Sequence, residues 1–178
     1  MGAVTINHAL TQNVNAIASS ILINSSGSLS GSANTLTLTN SISGTNFSIS
    51  GTMNVSGTHA VTFAGTAVHS ISGTVNFNNV STSTGVNFGT GSSVKNSFTI
   101  NTGGFVSVNP PTYNAASTLV YNTGGIYNRN TEWSSAIGAG YPFHLQLSGN
   151  TTLRVNNGTN LQRQIAGNLT IDAGSTFS

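Results

Sequence analysis

The chain has 178 residues, of which 37% are hydrophobic and 3% are charged, and its formal net charge is +2. Ordinary soluble proteins have about 25% charged residues, and a disordered chain combines low apolar content with high net charge. Serine, threonine, asparagine and glycine fill the remaining positions, and these residues favour turns. The composition therefore argues against a highly charged disordered chain and predicts many short strands joined by many turns.

Several classes of site are disfavoured by the residues that the chain lacks. There is no cysteine, which excludes a disulfide framework and thiolate metal sites. The basic residues Lys95, Arg129, Arg154 and Arg163 are scattered and form no basic stripe, so we expect no nucleic-acid partner. No segment approaches the roughly 18 consecutive apolar residues of a membrane span. We predict no cofactor.

The first 35 residues are predicted to form irregular first coils or a cap. Val4, Thr5 and Ile6 give an apolar-polar-apolar triplet, which is typical of a strand with one buried face. Residues 8–20 have a rough helical spacing of apolar side chains that several asparagines and serines interrupt. A short helical cap is one interpretation, and an irregular first coil is the favoured one.

The stretch 36–108 repeats the same triplet at constant spacing. Triplets begin at Leu36, Val61 and Val86, which are 25 positions apart, and a second motif at 48–55 recurs 22 positions later at 70–77. The strands of a β-sandwich also alternate apolar and polar residues, but a sandwich does not require a constant spacing between its strands. Each coil of a solenoid pairs with the coil below, which does require a constant spacing. We therefore predict an all-β, right-handed parallel β-helix with coils of about 22–25 residues and roughly seven coils.

The period also predicts which side chains point inward. Leu36, Val61 and Val86 should stack directly on one another, and so should Ile49 and Ile71, whereas Thr62 should point outward. The predicted core ladder consists of Leu36, Val61, Val86, Ile49, Ile71, Phe63 and Phe77.

The stretch 109–143 differs in composition from the rest of the chain, because it holds all four tyrosines, the only tryptophan and the only glutamate. We interpret it as one coil with an aromatic-rich excursion, after which 144–178 form the terminal coils. The whole of 1–178 is then a single β-solenoid. It ends on a repeat-like strand without a polar cap, and solenoids need caps at open ends, so we expect a segment of a longer exported chain.

Five pieces of the C-terminal half match a known kind of repeat: residues 111–113, residues 118–122, the pair Glu132-Trp133, Leu153 and residues 167–171. Together they resemble repeats in large secreted Bacteroidota proteins, which are exported by type IX secretion and described as adhesin-like surface proteins. The resemblance covers roughly residues 105–178. It implies a secreted or cell-surface location and identifies no catalytic residue.

Catalysis and metal binding are disfavoured by the scarcity of suitable side chains. Glycoside hydrolysis normally needs two carboxylates, and this chain has only Glu132 and Asp172, which are 40 positions apart and so not a multiple of the coil length. We therefore predict that the chain is not an enzyme. Glu132 is expected to bind Arg129 or the backbone of its loop. The histidines His8, His59, His69 and His144 are expected to be solvated or packed rather than metal ligands.

The aromatic group in the excursion has two interpretations. Tyr127, Arg129, Glu132 and Trp133 could contact a glycan, because aromatic faces beside polar groups stack on sugars. The favoured alternative is a small satellite core that pins the excursion to the solenoid wall.

Two functional hypotheses follow from the architecture. The favoured one is a non-catalytic structural or adhesive module of an extracellular bacterial surface protein or filament. Its partners would be neighbouring repeats, further copies bound end to end, or surface glycans. End-to-end binding is expected because residues 1–35 contain no charged residue or proline that would block pairing at an exposed strand edge. The alternative is an ice- or crystal-surface-binding solenoid, since Thr35, Thr37 and Thr39 form a row on one strand. The 25-residue register puts Asn87 after Thr62, which interrupts that row.

Overall fold

A computed structural model describes residues 2–134, 137–155 and 162–178. Within these ranges the chain forms strands, bridges, turns and bends and no helix. Residues 8–20 contain short strands of the first coil and no helix, so the helical cap is wrong. The strands are β1 (Ala3–Ile6), β2 (Ala9–Thr11), β3 (Ala16–Ala18), β4 (Ser20–Ile23), β5 (Ser28–Gly31), β6 (Thr35–Asn40), β7 (Gly44–Ile49), β8 (Thr52–Val55), β9 (Ala60–Gly65), β10 (His69–Ser72), β11 (Asn76–Thr82), β12 (Gly85–Asn87), β13 (Ser93–Asn101), β14 (Phe105–Val106), β15 (Thr112–Tyr113), β16 (Thr118–Asn122), β17 (Ile126–Asn128), β18 (His144–Leu147), β19 (Thr152–Arg154), β20 (Leu169–Ile171) and β21 (Thr176–Phe177).

The strands form four parallel sheets that wrap around one core. The long sheet has the order β3-β6-β9-β11-β13-β16-β18-β20, with β15 also against β13, and the second sheet has the order β1-β4-β7-β10-β12-β14. The N-terminal sheet is β2-β5-β8 and the C-terminal sheet is β17-β19-β21. The chain is therefore a parallel β-solenoid of about 8 turns, one more than the sequence predicts. This confirms the predicted fold class, and the right hand of the coil stays a prediction.

The cross-section changes along the solenoid. The first three coils each contribute a strand to the second, N-terminal and long sheets, whereas the N-terminal sheet stops at β8. The next two coils place β10 and β12 in the second sheet and β11 and β13 in the long sheet. The later coils pair the long sheet with the C-terminal sheet. The two middle coils therefore have strands in two sheets, whereas the first three coils have strands in three.

The shorter middle coils change the register of the ladder. Leu36 pairs with Val61, 25 positions later, as predicted. Val61 then pairs with Val80, 19 positions later, and Val80 pairs with Phe98 after a further 18 positions. The coil length thus varies along the solenoid: it is 20 residues from Ala16 to Leu36, 25 from Leu36 to Val61, and 19 and then 18 in the two coils that follow.

Val86 consequently lies in a different wall from the one predicted. It belongs to the second sheet, where it pairs with His69 on one side and Val106 on the other. The prediction that Leu36, Val61 and Val86 form one stack is wrong for Val86, because the fourth coil is six residues too short for it.

The predicted stack of Ile49 on Ile71 is also wrong, although both lie in the second sheet. Ile71 pairs with Phe47 and Ile49 pairs with Ile23. The ladder between β7 and β10 shifts at Ser70, where an irregularity displaces the pairing by one residue.

At the corner after β10, Gly73 has a φ of +90°, and a Cβ there would lie 2.1 Å from the carbonyl oxygen of Ile49.

The interior is apolar and partly aromatic. All seven residues of the predicted core ladder are buried, which confirms their inward orientation even where the pairing differs. Phe77 lies between the rings of Phe47, Phe63 and Phe88, with centroid distances of 5.6, 6.2 and 6.0 Å and edge-to-face angles. Phe88 continues the series to Phe98 at 5.1 Å. Edge-to-face contacts of this kind stabilise a core beyond the area that they bury.

Part of the predicted excursion is ordinary solenoid. The strands β15, β16 and β17 lie inside 109–143 and pair with β13, β18 and β19 of the neighbouring coils. The described residues that leave the coil are 129–134 and 137–143, between β17 and β18. Its described residues return to the wall through an isolated antiparallel bridge between Thr112 and Ala139.

Candidate functional site

The four residues predicted to contact a glycan lie together at the start of the excursion. Tyr127 is on β17, and Arg129, Glu132 and Trp133 are in the loop that follows it. Glu132 is 0% and Trp133 is 3% exposed. Neither an enclosed indole ring nor an enclosed carboxylate can touch a sugar in solution. The burial of Glu132 and Trp133 therefore contradicts their predicted contact with a glycan.

The polar groups of Arg129 and Trp133 hold the loop against the wall. The Arg129 guanidinium donates from Nε to the carbonyl of Val155 at 3.1 Å and from Nη1 to the carbonyl of Trp133 at 2.8 Å. The indole Nε1 of Trp133 donates to the carbonyl of Gln164 at 2.9 Å, and its ring packs near Phe177. These contacts confirm the satellite-core interpretation.

Glu132 accepts hydrogen bonds on one carboxylate oxygen only. Its Oε1 accepts from the Tyr121 hydroxyl at 2.9 Å and from the Asn130 backbone N–H at 2.8 Å, while Oε2 has no hydrogen-bond partner. Tyr113 donates its hydroxyl to the backbone carbonyl of Glu132 at 2.9 Å. Burial raises the pKa of the Glu132 carboxyl, opposed by its hydrogen bonds and by the charge of Arg129. The expected backbone partner is confirmed.

The tyrosines beside Glu132 were missed as its partners. Leu119, Val120 and Tyr121 alternate along β16, which places the Tyr121 ring inside, and that alternation was the available signal. Burial, followed by the nearby Glu132 carboxylate, raises the pKa of Tyr121 well above its ordinary value. Tyr127 is shifted in the same direction for the same two reasons. The cluster is a sealed polar core of the excursion.

The second carboxylate has separate partners. Asp172 follows β20 and accepts a hydrogen bond on Oδ2 from the Gln146 side chain at 2.9 Å. Among the described residues, no group of three or more histidine, cysteine, aspartate or glutamate side chains could hold a metal ion.

Two histidines are packed inside the solenoid, which agrees with the expectation that they are solvated or packed. His59 and His69 are both 0% exposed. His59 Nε2 is hydrogen-bonded to Gln12 Oε1 at 3.0 Å, and His69 Nε2 to the carbonyl oxygen of Ala64 at 2.7 Å. Burial lowers the pKa of both imidazoles.

The outer face of the long sheet carries a row of hydroxyls. The register places one hydroxyl residue on each of four successive coils, and all four are half-buried: Thr37, Thr62, Ser81 and Thr99. The hydroxyls of Thr62 and Ser81 lie 2.9 Å apart. The row begins after Ile17 and ends before Val120. Asn87 does not interrupt it, because Asn87 lies in the second sheet.

The first coil exposes apolar side chains around an open cleft. Val14 is 64% exposed, Ile17 56% and Leu10 45%. They line a cleft of about 210 Å³, together with Ile6, Leu29 and other apolar residues. The strand β3 is the outer strand of the long sheet at this end, so one of its edges has no strand neighbour among the described residues.

The last coil has the same character. Leu169, Ile171 and Phe177 are 44%, 45% and 41% exposed. The strand β20 is the outer strand of the long sheet at this end, and β21 is the outer strand of the C-terminal sheet. Outer strands present unpaired N–H and C=O groups, on which another strand can pair.

Comparison of the chain with protein-family models, with curated proteins and with solved structures gives no match in any of the three. A search of the described residues finds no helix with the length and apolar character needed to cross a membrane. Function is therefore argued from the geometry of the solenoid, its faces and its ends.

Proposed function

We propose that the chain is a non-catalytic structural or adhesive module of an extracellular bacterial surface protein, and that its coils stack end to end on further coils. The observation that supports this most strongly is the pair of apolar surfaces that the first and last described coils expose. Each internal coil buries its apolar side chains against two neighbours, whereas each terminal coil has one. The resemblance of residues 105–178 to secreted adhesin-like repeats supports the extracellular location.

The occupant that fits the first coil best is the last coil of a second copy. The long sheet reaches both ends, with β3 as its first and β20 as its last strand, so a second copy would extend it in parallel. Such contacts join different surfaces and generate an open filament rather than a closed dimer. Residues 1–94 contain no charged side chain, so the N-terminal coils offer little electrostatic repulsion.

The exposed apolar area sets the strength of this contact. Full burial of one large aliphatic or aromatic side chain contributes roughly 1.5–3 kcal/mol, and the six exposed side chains at the two ends would gain about half of that each. Their sum is on the order of 5–10 kcal/mol, against an association cost of about 4–15 kcal/mol. Stacking should therefore be reversible and should depend on protein concentration.

A charge placed in the N-terminal cleft tests the proposal. We expect the mass of the wild-type protein in sedimentation experiments to rise with concentration, and Val14→Lys to require at least about tenfold more protein, because a lysine in the cleft must be desolvated. The matched control is Ile42→Lys, since Ile42 is 73% exposed in the turn between β6 and β7. A wild-type protein that stays monomeric at high concentration, or equal effects of the two lysines, would contradict the proposal.

A second candidate function is binding to ice or to another ordered crystal surface. The hydroxyl row from Thr37 to Thr99 favours it, because parallel coils repeat every ~4.8 Å and so present the hydroxyls at a regular spacing. Thermal hysteresis tests it: activity at micromolar protein that Thr62→Tyr abolishes and Thr90→Tyr retains would rank this function first. Thr90 is exposed in the turn after β12, away from the row. The structural module predicts no hysteresis from any of the three proteins.

A further inference from the structure

One glutamine ties the first coil to the two coils that follow it. The Gln12 side-chain nitrogen donates to the carbonyl of Val14 at 3.0 Å within the first coil and to the carbonyl of Thr35 at 2.9 Å in the second. Its Oε1 meets Nε2 of His59 at 3.0 Å, and His59 directly precedes β9 in the third coil. The backbone N–H of Gln12 donates to the carbonyl of Ser30 at 2.8 Å. Residues 12–14, which line the open cleft, are thus held from several sides.

The hydrogen bonds fix the protonation of His59. Because carbonyl oxygens only accept, the Gln12 nitrogen must be the donor to Val14 and Thr35, which leaves Oε1 as the acceptor. His59 therefore carries its proton on Nε2. Its Nδ1 is fully enclosed and has no hydrogen-bond partner. A second proton on Nδ1 would create a buried cation with an unsatisfied donor, which is strongly unfavourable.

No charged side chain of the described residues compensates such a charge. The groups that reach it are Gln12 from the first coil, the backbone of Gly31 on β5 and Asn79 on β11, which donates to the His59 carbonyl at 3.1 Å. None of them titrates. Burial alone accounts for the lowered pKa of His59, with no contribution from a neighbouring charge. The Nε2–H keeps its acceptor in the imidazolium, so the second proton acts through Nδ1: it favours states in which the packing of the first coil on His59 opens and Nδ1 is solvated.

We propose that Gln12 and His59 form an acid-sensitive clamp: protonation of His59 releases the segment 12–18 from the body and weakens stacking on the first coil. The effect on stacking rests on the proposed function, whereas release of the segment does not. Because the folded-state pKa of His59 lies below the ordinary value of 6.5, the released state, in which His59 is solvated, binds the proton more readily, and the packed state loses stability as the pH drops below about 6.5.

Amide hydrogen exchange at pH 7.5 and pH 5.0, corrected for intrinsic rates, tests the release. We expect protection of residues 12–18 to fall by at least about tenfold at pH 5.0 in the wild type. His59→Gln should remove this pH dependence, because glutamine does not titrate. His69→Gln and His8→Gln are the matched controls and should retain it, since His69 is equally buried and His8 lies exposed between β1 and β2. Equal protection at both pH values in the wild type would overturn the clamp.

Two further measurements keep the test decisive. If His59→Gln fails to fold, NMR titration of the wild type should show the Gln12 side-chain amide shifting with the same midpoint as His59, and an unresponsive amide would overturn the clamp. Sedimentation at the two pH values separates the two proposals. A protein that stays monomeric at both pH values refutes the proposed function, and hydrogen exchange still tests the clamp. If residues 12–18 are released at pH 5.0 but stacking is unchanged, the effect of the clamp on stacking is overturned.

Discussion

The centre of the phenylalanine series is the most sensitive position in the core. Phe77 is 0% exposed and meets three other rings edge to face. Removal of a buried phenylalanine costs about 3–5 kcal/mol through lost burial and the cavity left behind. Each aromatic pair adds about 0.5–1.5 kcal/mol, so we place Phe77→Ala at the upper end, about 5 kcal/mol. Phe63→Ala should lie lower in the same range, because Phe63 meets only one phenylalanine, Phe77.

Thr62→Ala provides the contrast on the outer face of the same coil region. It removes one hydroxyl contact, to Ser81, and should cost about 1 kcal/mol or less. Urea unfolding followed by circular dichroism gives the two midpoints, and Trp133 fluorescence tests whether the C-terminal coils unfold together with the middle. Equal losses for Phe77→Ala and Thr62→Ala at unchanged urea dependence would refute the assignment of inner and outer faces.

Four further substitutions probe the corner after β10, its glycine control and the buried carboxylate. Gly73→Ala should destabilise strongly by thermal melting, because its Cβ would meet the Ile49 carbonyl, whereas Gly125→Ala should be nearly neutral, since no atom lies within 4 Å of its Cβ. Glu132→Gln should remove a pH dependence: with its folded-state pKa raised, the wild type loses stability as the pH rises above 4.5 and through the raised pKa, and the difference between the two melting profiles isolates this carboxyl. Tyr121→Phe should destabilise by about 1–3 kcal/mol, because Glu132 Oε1 loses one of its two donors. A Tyr121→Phe protein with unchanged melting would contradict the role of that hydroxyl.

The sequence predicts the solenoid and its inward faces, because period-2 alternation depends only on local geometry. It fails at the register of Val86 and Ile71. The coil after β9 is 19 residues long instead of 25, and the apolar-polar pattern within the strands does not mark this change. The residue 25 positions after Val61, which is Val86, therefore lies in the second sheet rather than in the long sheet. The same error hid the hydroxyl row, whose continuation from Thr62 is Ser81 rather than Asn87.

The candidate sites divide along the same line. The sequence locates the aromatic cluster, because a single tryptophan among tyrosines and glycines is on average highly buried. The burial of Trp133 then confirms the alternative of a satellite core. The enclosure of Glu132 by Tyr113 and Tyr121 could not be predicted, since it depends on how the loop folds back over neighbouring coils. The contact between Gln12 and His59 spans 47 positions, so no local pattern indicates it.

The most direct test of end-to-end stacking is the internal repeat of the assembled material. If the last coil of one copy continues the sheets of the next, electron microscopy of concentrated protein should show filaments one solenoid wide. Their diffraction should contain a layer line at about 4.8 Å along the filament axis, because every strand then runs perpendicular to that axis. Filaments that lack this layer line, or aggregates in which solenoids lie side by side, would contradict the account.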